Sequence, residues 1–297
     1  MKKEKRGELT TQQIVILIIL IVSFVIILFL LFRLNLGKTT QEDVCHNSVV
    51  TRGAGVLPGE SIPLNCKTEY ICLSKDGSCE GMTSPQIIKV RTIKEVYSAL
   101  AEKMADCWWM FGEGKLNYVG KTFNEQLYCS LCSIVSFDNS LDMFDNREVS
   151  QEEFYNYLAE TKMSENDITY LDYLYGLKNA QAIKETLDSG QANFGKINLN
   201  NQHFIVMGIF SDVGVWKWAG IAAGAGALIG VAFVTGGASI PFSVAIVSGA
   251  VGGGAGGYFI GTVVKGESGH DYLSPTIIEA NSADYNKLKC KEIKTLA

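Results

Sequence analysis

From residue 14 to residue 32 the chain reads IVILIILIVSFVIILFLLF, and Ser23 is its one polar side chain. A helix of about 20 such residues spans the hydrocarbon core of a bilayer, and a water-facing surface has nowhere to hide one. Lys2, Lys3, Lys5 and Arg6 precede the run and Arg33 follows it. The run is longer than the apolar region of a signal peptide and has no small-residue cleavage site at its end, so it predicts a permanent anchor. The basic side stays inside: residues 1–13 are expected in the cytoplasm and the rest of the chain outside.

Cysteine placement agrees. All eight, Cys45, Cys66, Cys72, Cys79, Cys107, Cys129, Cys132 and Cys290, follow the anchor, and an even set on an exported side reads as disulfides. Roughly a hundred pairings are open to such a set. Zinc would want a second CxxC or paired histidines beside Cys129 and Cys132. His46, His203 and His270 are scattered, so neither metal nor any other cofactor is expected. The net charge of −5 and the absence of a basic face argue against nucleic acid.

A second long stretch, residues 218–264, carries no charge between Lys217 and Lys265. Its composition predicts a membrane hairpin over 215–264, with arms at 218–234 and 241–264 around a TGGAS turn. Gly220, Gly224, Gly230, Gly249, Gly253, Gly257 and Gly261 fall largely at four-residue spacing, which on helices would make a small-residue stripe for close packing in lipid. Trp216, Trp218, Tyr258 and the flanking lysines suit the interface.

Between the two apolar stretches the periodicities change. Residues 34–44 read as a polar stalk opening a cysteine-rich β module over 34–85, in which SIPLNCKTEYICLS and KDGS predict a stapled hairpin. A helical α+β domain over 86–213 follows. Thr92 and Glu95 form a capping box, after which Ile93, Val96, Tyr97, Leu100, Met104, Cys107, Trp108 and Phe111 share one face up to Gly112 and Gly114. Trp109 points off that face and is a candidate binding aromatic. Ser150 with Glu153, and Ser164 with Asp167, predict two more helix starts. Residues 196–213 read as strand, turn, buried strand; 265–297 return as strand, helix and strand, so that Cys290 ties back to the exported domain. The expected fold is therefore an α+β exported domain with disulfides, an N-terminal transmembrane helix and an inserted glycine-zipper transmembrane hairpin.

The start, KRGELTTQQIVILIILIVSF, resembles the class III signal of archaeal type IV pilins and archaellins. That likeness implies a cut after Gly7, although Gln12 stands where many pilins carry Glu. The set CHNSVV, CWWMFGEGK and CSLCS resembles uncharacterised archaeal membrane-anchored, cysteine-containing surface proteins, which implies a cell-surface setting and brings no functional residue with it.

No catalytic constellation emerges. FGEGK lacks the hydroxyl residue that a phosphate loop needs after its lysine. Glu102, Asp106 and Glu113 show no second carboxylate across a cleft, and Ser268, His270 and Asp271 are neighbours in sequence only. The leading expectation is a noncatalytic membrane-anchored cell-envelope protein whose hairpin mediates helix packing, with membrane lipid and further copies or a membrane protein as partners. The alternatives are a pore-forming or fusion-type hairpin, an exported thiol oxidoreductase using Cys129 and Cys132, and a pilin-like filament component.

Overall fold

A computed structural model describes residues 11–33, 40–55, 63–119, 126–142, 145–164, 167–189, 194–211, 229–233, 244–248 and 258–293. They divide into two units, residues 1–40 and 41–297.

Among its described residues the first unit holds one helix, α1 (Thr11–Arg33). Its side chains are exposed from residue 12 to residue 29, and from residue 14 to residue 29 they are apolar on every side except at Ser23. Ser23 donates its hydroxyl back to the Leu20 carbonyl at 2.9 Å, so the one polar side chain of the run 14–32 is satisfied within the helix, as an apolar medium requires. Among the described residues α1 is the one helix long and apolar enough to cross a membrane.

The second unit is a mixed α+β domain. Its elements are α2 (Gln41–Gly53), β1 (Glu69–Ser74), β2 (Gln86–Lys89), α3 (Ile93–Met110), β3 (Gln126–Phe137), β4 (Glu148–Ser150), α4 (Gln151–Glu160), α5 (Tyr170–Tyr175), α6 (Leu177–Ser189), β5 (Lys196–Asn198), β6 (His203–Ser211), β7 (Ile229–Phe233), β8 (Val244–Ser248), β9 (Tyr258–Lys265), β10 (Asp271–Glu279), α7 (Ala283–Lys287) and β11 (Lys291–Glu292). The main sheet runs β2-β1-β3-β6-β10-β9-β8-β7, with β11 beside the start of β3 and β4–β5 forming a separate ladder. β2, β1 and β3 are mutually parallel; from β6 onward each neighbour is antiparallel.

Central strands divide their side chains by the period of two. Ile205, Met207 and Ile209 of β6 join the large core beneath α3, while Val206 and Phe210 join a smaller cluster on the opposite face with Leu127, Leu273 and Leu288. The helix α3 starts where expected: Thr92 accepts from the Glu95 amide and the Glu95 carboxylate accepts from the Thr92 amide. Val96, Tyr97, Leu100, Met104, Cys107 and Trp108 are buried along its predicted face. Gly112 and Gly114 close it at φ +78° and +73°, a region that costs other residues strain. Ser150 caps α4 through the Glu153 amide. The next start falls later than predicted, because Thr169, not Ser164, accepts the capping bond from the Asp172 amide.

All eight cysteines pair, as Cys45–Cys66, Cys72–Cys79, Cys107–Cys132 and Cys129–Cys290. Residues three apart in a strand point to opposite faces, so Cys129 and Cys132 of β3 cannot reach each other. Cys132 bonds down to α3 and Cys129 bonds to Cys290 on the far face. Gly208 lies opposite Cys129 in β6, and a Cβ there would meet Leu127 Cδ1 at 2.7 Å and the Tyr128 carbonyl oxygen at 2.9 Å.

Three expectations are corrected. The start of the stalk and cysteine module is helical, since residues 41–53 form α2 and carry Cys45 into the core. The pairing of β1 with β2 is parallel, not a hairpin; the connection returns along β1 and is stapled there by Cys72–Cys79. The predicted helical hairpin is replaced, in its described residues, by β7, β8 and part of β9, so Gly230 and Gly261 stand in strands and not on a helical stripe. Glycine costs a helix about 1 kcal/mol against alanine, whereas IGVAF and VAIVS are rich in residues suited to strands. β10 offers β9 an antiparallel edge and β8 and β7 extend from it. Gly220, Gly224, Gly249, Gly253 and Gly257 lie outside the described residues.

Candidate functional site

A cleft of about 400 Å³ opens where the start of β6 meets the end of β10. That volume lies within the range of small-molecule sites, roughly 300–1,000 Å³. Five separate segments build it. His203 comes from the first residue of β6; Ile277, Ile278 and Glu279 from the last turn of β10; Gly195, Lys196 and Ile197 from β5 and the residue before it; Gln151 from the first residue of α4; Ser282 and Asp284 from the cap and start of α7. Backbone bonds hold these pieces together: the Gln151 amide donates to the Gly195 carbonyl at 3.2 Å, and the Ala280 amide donates to the Gln202 carbonyl at 2.8 Å.

Three of the polar lining residues are themselves buried. His203 is 3% exposed, Gln151 8% and Asp284 8%. The His203 Nδ1 lies 3.1 Å from the Asn201 carbonyl oxygen, and because a carbonyl only accepts, Nδ1 carries the proton. Burial lowers the His203 pKa, against the raising pull of the Asn201 bond and of Glu279. The ring is therefore neutral, with a lone pair on Nε2, and its face packs edge-on against Phe137. Lys196 pairs with Glu148 at 2.7 Å, Glu279 accepts from the Asn201 side-chain Nδ2 at 2.9 Å, and the Ser282 hydroxyl accepts from the Tyr285 backbone amide at 3.1 Å. Among the described residues no hydrogen bond reaches the Gln151 carboxamide or the His203 Nε2, and neither is a buried unsatisfied atom, so both open onto the cleft.

A second polar cluster is closed. Lys103, with its side chain 11% exposed, lies 3.0 Å from Glu69, 3.1 Å from Asp106 and 3.9 Å from Glu42. Burial opposes the lysine charge, but Asp106 and Glu69 outweigh it and raise the Lys103 pKa. Glu69 is also raised, by burial and then by a hydrogen bond with Glu42, despite Lys103. Burial likewise raises Asp106 against the pull of Lys103. One cation shared among several acids explains both directions: the lysine stays charged, and surplus carboxylate favours a shared proton. This cluster ties α2, β1 and α3 together.

The residues singled out in the sequence lie elsewhere. Trp109 is half-buried, and His46 stacks on it with centroids 4.2 Å apart and planes 9° apart, while His46 Nδ1 donates to the Trp109 carbonyl at 2.7 Å. That aromatic is occupied within the domain. Asp106 belongs to the Lys103 cluster, Glu102 accepts from Ser98, and Glu113 accepts from Tyr173 at 2.7 Å. The Ser268 hydroxyl faces Tyr272 and His270 Nδ1 faces the Ser268 carbonyl, while Asp271 pairs with Lys265, so the three do not converge on a reacting centre. Nor does the cleft hold any of them. Residues 151, 196, 203, 279 and 282 carry no spacing that marks them as a group; the signal open to inspection was one histidine opening a buried strand.

Comparison of the chain with protein-family models, with curated proteins and with solved structures finds no match.

Proposed function

We propose that this chain is a membrane-anchored cell-envelope protein that displays a disulfide-braced α+β domain outside the cell and acts by binding, without a catalytic step. One observation carries the reading. Among the described residues one helix long and apolar enough to cross a membrane stands near the N-terminus, and all eight cysteines of the unit that follows are joined in disulfides, which persist in an oxidising compartment. The lysines and arginine before the helix support an orientation with the N-terminus inside. The cleft at His203 supports binding as the role of the displayed domain.

The test is protease accessibility on intact cells together with a mass map of the unreduced protein. External protease should cut the domain while sparing a tag at residue 1, and the four pairs should be recovered as disulfides. A protected domain, or cysteines recovered as thiols from rapidly quenched cells, would refute the placement.

A further inference from the structure

We propose that the cleft at the β6–β10 end binds an uncharged polyhydroxylated small molecule of monosaccharide or disaccharide size. The inference rests on reading that cleft as a binding site and names the chemistry of its ligand.

The argument turns on which hydrogen-bonding groups are left over. His203 presents Nε2 as an acceptor, because its proton is fixed on Nδ1 by the Asn201 carbonyl. Gln151 presents both an amide donor and a carbonyl acceptor, and it is 8% exposed. Among the described residues no hydrogen bond reaches either group, and neither is shut away as a buried unsatisfied atom, so each offers its bonding capacity to the open cleft. Ser282 accepts from the Tyr285 amide, which leaves its hydroxyl proton to donate. Glu279 has one oxygen engaged by Asn201 and lone pairs to spare.

This set of donors and acceptors selects among ligand classes. An anion would meet Glu279 and Asp284, while the lining cation, Lys196, is already engaged by Glu148. An ammonium suits the carboxylates but offers no acceptor to the Gln151 amide or the Ser282 hydroxyl. A hydroxyl group donates and accepts at once, so several hydroxyls on one frame answer all of these groups. Ile197 and Ile277 supply an apolar wall for the C–H face of such a ring. The cleft is built from five segments that the fold brings together.

The experiment uses the full chain in a polyoxyethylene detergent, which carries no sugar. The chain has three histidines, so ring proton–carbon NMR signals are few, and His203→Gln assigns the one that matters. Three probe sets are titrated to millimolar concentration: neutral sugars (glucose, galactose, mannose and N-acetylglucosamine), methylammonium, and acetate. At least one neutral sugar should move the His203 signal saturably while the His46 and His270 signals stay in place. In Gln151→Ala the dissociation constant for that sugar should rise about tenfold, the loss expected for hydrogen bonds to one side chain, and unmoved His46 and His270 signals would certify the fold. A saturable response to methylammonium or acetate but to no sugar would overturn the ligand class. No response at His203 to any probe would overturn the cleft as a site, and would leave the anchored, disulfide-braced placement to its own protease test.

Discussion

The four disulfides make an ordered prediction about stability. Each pair is removed in turn by a double substitution to alanine in the full chain, and unfolding is followed by tryptophan fluorescence in urea, in detergent. The chain-entropy relation at 25 °C converts the loop each bond closes into a cost. Cys129–Cys290, at a separation of 161, gives about 5 kcal/mol. Cys107–Cys132, at 25, gives about 3.5 kcal/mol, and Cys45–Cys66, at 21, about 3.3 kcal/mol. Cys72–Cys79, at 7, gives about 2.4 kcal/mol. The first and last differ by about 2.8 kcal/mol, on the order of a hundredfold in the unfolding equilibrium, well beyond the error of a denaturation curve. Every pair contains a nearly fully buried sulfur, so the packing loss is similar across the series and the order reports loop length. If removing Cys129–Cys290 costs no more than removing Cys72–Cys79, the long loop is not what that bond restrains, and the reasoning fails.

Four further outcomes follow, three from buried titratable groups and one from a close approach. Lys103→Met leaves Glu69, Asp106 and Glu42 without their cation and should cost about 3 kcal/mol, the low end for a broken buried pair because the Asp106 side chain keeps 43% exposure; urea unfolding measures it. Glu69 has a raised folded pKa, so its contribution to stability is full below its ordinary value of 4.5 and is lost as pH rises through the raised value; Glu69→Gln should flatten that part of a stability–pH curve. His203 runs the other way, since its folded pKa is lowered: its contribution is present above 6.5 and lost as pH falls, and His203→Gln should remove that loss in a thermal-melt series between pH 7 and pH 5. Gly266→Ala places a methyl against the Gly114 carbonyl oxygen and the Tyr272 ring, so backbone must move, and the unfolding free energy should fall by about 1–3 kcal/mol in the same urea assay.

Local chemistry was the legible part of this fold. The Thr92–Glu95 box marked the start of α3 because both bonds of the cap lie within four residues, and the anchor helix follows from an apolar run with basic ends. The split partners of Cys129 and Cys132 are a property of strand geometry, readable once LYCSLCSIV is taken as a strand. The register between distant pieces was not legible. EYICLS alternates equally well for a hairpin or for a parallel strand, and the choice was made by β3 arriving beside β1. The glycine-rich tail misled because an uncharged run of Ile, Val, Ala and Gly satisfies a lipid-packed helix and a buried strand alike; the deciding fact was the edge left by β10, encoded after the run ends. The cleft was hidden for the same reason, since Gln151, Lys196, His203, Glu279 and Ser282 meet only after the sheet has formed.

The bond from Cys129 to Cys290 also governs what happens when the chain is clipped. A nick by a surface protease anywhere in the loop it closes separates two polypeptides that remain one covalent object. The downstream piece stays fastened to the anchored piece until a reductant arrives. Such a molecule migrates at full length on an unreduced gel and as fragments on a reduced one, and damage on the outside does not shed the domain from the surface that bears it.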